Sequence, residues 1–233
     1  MSQLPLVSQP PRPNTWHMYR AMVGIGILCG LLIVGVFELT KPVIARNKAE
    51  ALQRAIFQVL PEANSSKTFR LEGEDGFAVH EGTEADGVQL VYAGYDEAGQ
   101  LIGIAIEAQG MGYQDVIRVI YGYSFDKDAV IGIRVLESKE TPGLGTKIET
   151  DPDFLKNFER LDVALTADLS AVANPIEFVK PGKKEQAWQV DGITGATISS
   201  NAIANILGAS TANWIPRIRR GLEDFRATGG EAI

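Results

Sequence analysis

The segment "DGITGATISS", residues 191–200, holds four hydroxyl residues (Thr194, Thr197, Ser199 and Ser200), two glycines and one acid. Two readings fit it. In the first, Thr197 or Ser199 is the N-cap of a helix that continues through "ISSNAIANIL". In the second, the same helix start is a seat for phosphate. Gly195 and Ala196 are small enough for the chain to close on the oxygens. The unpaired N–H groups of a first helical turn point at an anion. Asp191 sits oddly with the second reading, because it brings negative charge to a phosphate site. A divalent ion present during a chemical step would remove that conflict.

A second stretch with chemical potential is "ETPGLG", Glu140 to Gly145. Pro142 fixes one φ, and Gly143 and Gly145 permit positive φ. The stretch is either a sharp loop leaving a sheet or a backbone surface that a flat ligand approaches without meeting Cβ atoms. "MGY", Met111 to Tyr113, is either an ordinary turn or a wall for such a ligand. Thioether and aromatic groups pack well on flat rings.

Other chemistries are excluded. Cys29 is the only cysteine, so an intrachain disulfide, a cysteine-ligated iron–sulfur cluster and covalent c-type haem are all ruled out. His17 and His80 are the only histidines, too few for a convincing zinc site, and no metal ligands are assigned. The net charge of −7 makes nucleic acid a poor partner. If the chain carries electrons, it must do so with an organic cofactor.

Several elements must position these stretches. Residues 21–37, "AMVGIGILCGLLIVGVF", carry no charge. As a helix they span about 25 Å, and Arg20 and Lys41 can snorkel to lengthen that. Trp16 and Tyr19 stand where an interfacial aromatic belt would place them. A transmembrane anchor over 18–40 is expected, after a disordered tail over 1–17, which the resemblance described below makes cytoplasmic. From Pro42 to Leu60, the residues Ala45, Ala49, Leu52, Ile56 and Val59 share one helical face. They predict a stalk or first domain helix within 41–66. Period-two alternation then runs through Ile102–Ile106, Ile117–Phe125 and Ile131–Val135, with turns at "DEAG" (96–99) and "DKDA" (126–129). This predicts an antiparallel meander with one buried face. Helical patterns follow near 152–159 and from 198 onward. The fold class is therefore α+β, an antiparallel sheet with flanking helices over 67–210, plus one N-terminal transmembrane helix. In a C-terminal helix and tail, 211–233, Trp214, Ile218, Leu222 and Phe225 fall at helical spacing. That face suits packing on its own domain or docking of another protein.

Taken together, the two glycine-bearing stretches carry a resemblance. Asp191, Thr194, Gly195, Ala196 and Thr197 form D-x-x-T-G-A-T, which resembles the flavinylation signature of membrane-anchored FMN-binding domains. "ETPGLG" resembles the second motif of the same proteins, and residues 112–149 read like that family almost throughout. The family includes the G subunit of Rnf complexes and the C subunit of the sodium-pumping NADH:quinone reductase.

The resemblance implies covalent FMN, joined through its phosphate to Thr197 by a flavin transferase that uses FAD and a divalent metal. Asp191, Thr194, Gly195, Ala196 and Thr197 would be what the transferase reads. Thr194, Gly195 and Ala196 would border the phosphate. Thr141, Gly143 and Leu144 would lie near the isoalloxazine ring, with Tyr113 as a wall. It further implies an electron-transfer subunit of an ion-translocating oxidoreductase complex without independent catalytic activity or catalytic residues of its own. Its partners would be the other membrane subunits of an Rnf complex (A, B, C, D and E types). The protein would cross the bacterial inner membrane once, with its soluble domain periplasmic. The charge count, Arg12 and Arg20 against Lys41, Arg46, Lys48 and Arg54, leans the other way. Two alternatives stay open: the quinone-reductase C subunit or a stand-alone periplasmic flavin carrier, and a non-redox membrane-anchored adaptor whose two motifs are structural loops.

Overall fold

The computed structural model describes residues 15–80 and 89–229. The chain divides into two compact units, 1–48 and 49–233. Most of the tail expected over 1–17 lies outside the described residues, and Thr15, Trp16 and His17 already belong to helix α1 (Thr15–Val59). By length and composition this helix can cross a membrane. Ile25, Leu28, Leu31 and Leu32 are exposed on it, as lipid-facing side chains would be. The anchor and the amphipathic segment after it, expected as separate pieces, are one unbroken helix with Pro42 inside. Proline removes one i→i−4 hydrogen bond. Just before it, the Thr40 hydroxyl donates to the carbonyls of Val36 (2.9 Å) and Phe37 (3.1 Å).

The second unit is built on a seven-stranded sheet. In chain order its strands are β1 (Ser65–Glu72), β2 (Gly76–Val79), β3 (Leu90–Tyr95), β4 (Leu101–Met111), β5 (Val116–Ser124), β6 (Ala129–Glu137) and β7 (Leu161–Asp162). They lie in the order β2-β1-β3-β4-β5-β6-β7, every pair antiparallel. The expected meander is β3 to β6. At the first turn, Asp96 Oδ1 accepts from the N–H groups of Ala98 and Gln100, both at 2.8 Å. At the second turn Asp128 takes a φ of 45°.

The expectation of one buried face needs correcting, because both faces of the sheet are covered. On one face lie the last turns of α1 and the residue after it, where Ala55, Ile56, Val59 and Leu60 pack on Leu90, Tyr92, Ala105 and Ile120. Gly94 and Gly103 stand opposite each other on β3 and β4, and Gly122 faces Gly132 on β5 and β6. A Cβ at Gly122 would fall 2.2 Å from the Val59 carbonyl oxygen, and one at Gly132 would fall 3.1 Å from Val59 Cα. At these glycines the strands bring backbone rather than side chains to the helix end. Period-two alternation cannot register a face filled by a helix from another part of the chain.

The other face carries the larger core. It is covered by α2 (Lys147–Thr150), α3 (Pro152–Leu155) with a 3₁₀ turn at 156–158, a parallel strand pair β8 (Glu177–Val179) and β9 (Gln189–Asp191), and helices α4 (Thr197–Arg220) and α5 (Leu222–Gly229). α4 runs unbroken through position 211, so the boundary expected there falls inside a helix. Trp214, Ile218 and Phe225 are buried, and the Phe225 ring lies 4.8 Å from Phe69 and 4.6 Å from Phe77. Arg219 pairs with Asp128 and Arg220 with Asp75, each at 2.7 Å. The Arg220 guanidinium holds the Asp75 carboxyl below its ordinary range. The apolar face of the C-terminal helices is thus packed within its own domain.

Candidate functional site

The "ETPGLG" stretch leaves β6 as a tight turn. The Leu144 N–H donates to the Thr141 carbonyl (3.2 Å), with Pro142 and Gly143 at the two central positions. Gly143 takes φ +75°, as the second central residue of a type II turn requires. The Gly143 N–H donates to Thr146 Oγ1 at 3.0 Å. The amides of Gly143 and Leu144 are therefore used within the loop, and a ligand beside it would meet carbonyls and side chains. Nothing lies within 4 Å of where a Gly143 Cβ would sit, so the top of the turn is open.

Glu140, which precedes this turn, is buried. Its Oε1 accepts from the N–H groups of Tyr113 (2.8 Å) and Gln114 (3.0 Å), and its Oε2 accepts from the hydroxyl of Ser199. The β4–β5 loop, the "ETPGLG" turn and the first turn of α4 are thereby fastened to one carboxylate. Two glycines make room for it. A Cβ at Gly112 would sit 2.5 Å from Oε1, and one at Gly145 would sit 2.5 Å from Oε2. Gly145 is needed for close approach, whereas Gly143 is needed for its φ. Sequence reasoning missed Glu140 as a functional residue; its signal is an acid at a strand end followed by two glycines.

The N-cap of α4 is Ala196, not Thr197 or Ser199 as the capping reading expected. Ala196 has no side-chain oxygen, so the first N–H groups of α4 have no side-chain cap. Gly195 supplies the preceding bend at φ +85°. Ser199 and Ser200 are buried and bonded, the latter donating to the Ala196 carbonyl at 2.9 Å. Thr197 and Thr194 are exposed. Thr197 is the first residue of α4, so its hydroxyl stands at the positive end of the helix. The Lys147 ammonium lies 3.9 Å from where a Gly195 Cβ would be. Around this point four large apolar side chains remain in solvent: Met111 (68% exposed), Tyr113 (64%), Leu144 (52%) and Ile198 (56%). Each belongs to one of the three segments that Glu140 joins.

Asp191 ends β9 and has a structural role. Its carboxylate accepts from the N–H groups of Gly182 (2.9 Å) and Lys183 (3.2 Å), while its own N–H donates to Asn157 Oδ1 at 3.0 Å. Lys184 also reaches Asn157 Oδ1 (3.2 Å), and burial pushes the pKa of its ammonium down. Asp191 thus anchors the 180–183 turn to the strand leading into α4. Asp191→Ala is expected to cost about 1.5–3 kcal/mol, the range for hydrogen bonds to charged groups. Thermal unfolding of the full chain in detergent would show it, and an unchanged melting temperature would refute the anchoring role. A cleft of about 340 Å³ lies alongside, lined among others by Lys147, Asp151, Gly182, Asp191 and Thr194. Thr197 is not part of its lining, so the two exposed threonines serve different surroundings.

Residues 112–210 match the FMN-binding domain family. The G subunit of the ion-translocating oxidoreductase complex of Methanosarcina acetivorans is 32% identical over 186 residues, covering 80% of this chain and 87% of the relative. This chain belongs to the family of those G subunits. The corresponding protein of Stutzerimonas stutzeri agrees, at 31% identity over 85% of this chain and 82% of the relative. Among solved structures, NqrC of Shewanella oneidensis superposes with a TM-score of 0.56 at 19% identity, covering 81% of this chain and all (100%) of that one. The C subunit of the Na(+)-translocating NADH-quinone reductase of Parabacteroides distasonis gives 0.57 at 21%, covering 74% and 94%. At these identities the likeness extends to the fold alone.

The family match begins at Gly112 and so takes in both glycine-bearing stretches. The structure brings Thr141, Gly143, Leu144 and Tyr113 to one place with the start of α4, through Glu140. Gly195 and Ala196 shape that start, whereas Thr194 and Asp191 border the neighbouring cleft. Among the described residues no cluster of histidine, cysteine and carboxylate side chains could hold a metal.

Proposed function

We propose that this chain is the electron-transfer subunit of an Rnf-type ion-translocating oxidoreductase complex, relaying electrons through FMN attached to Thr197 by a phosphoester. One observation carries the site: of the four hydroxyls in 191–200, Ser199 and Ser200 are buried and bonded, and of the exposed pair only Thr197 stands at a helix start. The surroundings fit the group. The uncapped turn and Lys147 suit a phosphodiester's negative charge. Met111, Tyr113, Leu144 and Ile198 offer apolar surface to a flat ring. FMN supplies reversible one- and two-electron chemistry that no side chain of this protein provides.

In the attachment, Thr197 Oγ1 bonds to the FMN-side phosphorus of FAD. The pyrophosphate bond breaks, AMP leaves, and the hydroxyl proton passes to a base of the transferase. A threonine hydroxyl is a weak nucleophile, so that base and a divalent metal must belong to the transient partner. The finished protein works with the other membrane subunits of its complex and needs no dinucleotide site. The chain contains no G-x-G-x-x-G.

The wild-type chain, produced with a flavin transferase, is expected to fluoresce yellow-green in a denaturing gel and to yield a 191–200 peptide heavier by one FMN phosphoester. A colourless band would favour the non-redox adaptor. The curated relatives at 31% and 32% identity are G subunits, which favours that reading over the quinone-reductase one. We place the N-terminus in the cytoplasm and the residues beyond α1 outside the inner membrane. An impermeant reagent added to intact spheroplasts should then label a cysteine placed at exposed Glu223. Labelling only after lysis would reverse the topology.

A further inference from the structure

We propose that Glu140 is a positioning residue of the flavin site and the buried charge that makes its flavin harder to reduce. The inference rests on the FMN reading above. Both Glu140 oxygens act only as acceptors, for two backbone N–H groups and one hydroxyl, which is the pattern of an ionised carboxylate. Among the described residues no lysine or arginine pairs with it. The neighbouring Asp115 is matched by Lys139 at 2.6 Å. Glu140 therefore contributes a negative charge that no ion pair matches, and its burial limits screening by water and salt.

That charge is close to where the flavin attaches. Ser199, which it binds, is two residues from Thr197, so their Cα atoms are at most about 7.6 Å apart. Tyr113, whose N–H it also binds, and Leu144, four residues along, are two of the exposed apolar residues that fit the ring. When an electron pair and one proton enter FMN, the ring becomes more negative by one unit. The Glu140 carboxylate opposes that change and so lowers the midpoint potential. The same carboxylate fixes the three segments relative to one another. The first turn of α4, which it meets through Ser199, is the positive end of that helix and favours a negative charge there.

The test compares full-length wild type, Glu140→Gln and Asp115→Asn, each loaded by co-production with the transferase and titrated at a mediator-coupled electrode. Glutamine keeps the shape, the Oε1 acceptor for Tyr113 and Gln114, and a donor toward Ser199, but carries no charge. The expected midpoint of Glu140→Gln is more positive, by at least tenfold in the oxidised-to-reduced ratio at a fixed potential, or about 30 mV for two electrons. Asp115→Asn removes a partly exposed charge that Lys139 already matches and should stay within about threefold of wild type, or about 15 mV. A Glu140→Gln midpoint within that margin would overturn the proposal. So would a Glu140→Gln chain that fails to fold, because the role would then be purely structural. A wild type lacking flavin at Thr197 would instead sink the functional reading on which this one rests.

Discussion

Thr197→Ala, produced beside a flavin transferase, should emerge with no bound flavin and with its fold intact. The loss is expected to be complete because the alanine offers no atom to esterify. The other hydroxyls cannot substitute easily. Ser199 and Ser200 are buried and engaged, one with Glu140 and the other with the Ala196 carbonyl. Thr194 precedes the helix and lines the neighbouring cleft, whose lining does not include Thr197. The fold should be indifferent, because Thr197 is exposed and alanine is the better helix former. Unmodified wild type and Thr197→Ala should melt within about 0.5 kcal/mol of each other. In-gel fluorescence and intact mass read the first half of this expectation, and thermal unfolding in detergent reads the second. Flavin retained on the alanine variant would move the attachment elsewhere.

Gly122→Ala should be the most damaging single methyl in the sheet. The added Cβ would lie 2.2 Å from the carbonyl oxygen of Val59 and 2.9 Å from its carbon. Both atoms are backbone at the end of α1, so no rotamer change relieves the clash and the helix must lift from β5. Overpacking typically costs about 1–3 kcal/mol, and a clash with fixed backbone puts this one at about 3 kcal/mol. For a chain of this size that lowers the melting temperature by roughly 6–12 °C. Gly94→Ala is the control. Its Cβ would meet Leu60 Cδ1 at 2.8 Å and Ala63 Cβ at 2.9 Å; the leucine can rotate away, and Ala63 lies past the end of α1, so only that loop must shift. The loss there should be smaller. Equal losses at the two positions would mean that the helix end yields freely.

The sequence made some of this legible and hid the rest for physical reasons. The meander from β3 to β6 is readable because isoleucine and tyrosine alternate along strands whose turns contain aspartate or glycine. The second covered face is not, because glycines at 94, 103, 122 and 132 read as weak strand residues until the end of α1 is seen against them. The short parallel pair β8 and β9 is invisible, since three-residue strands leave no period. At the site, the resemblance in D-x-x-T-G-A-T points to Thr197, while capping logic points equally to Ser199. Local chemistry cannot separate two hydroxyls in one turn; what separates them is that Ser199 faces inward to Glu140 and Thr197 faces water. The resemblance makes Asp191 a residue for the modifying partner, whereas what the structure shows is its carboxylate holding the 180–183 turn.

The outward-facing position of Thr197 bears on the order of events in the cell. Among the described residues no hydrogen bond uses its hydroxyl, so no internal partner must let go before that oxygen meets a reagent. Synthesis, folding and loading can then proceed as separate stages. If Thr197 carries the flavin as proposed, the folded chain is itself what the transferase modifies, and loading follows how much transferase and FAD the compartment supplies.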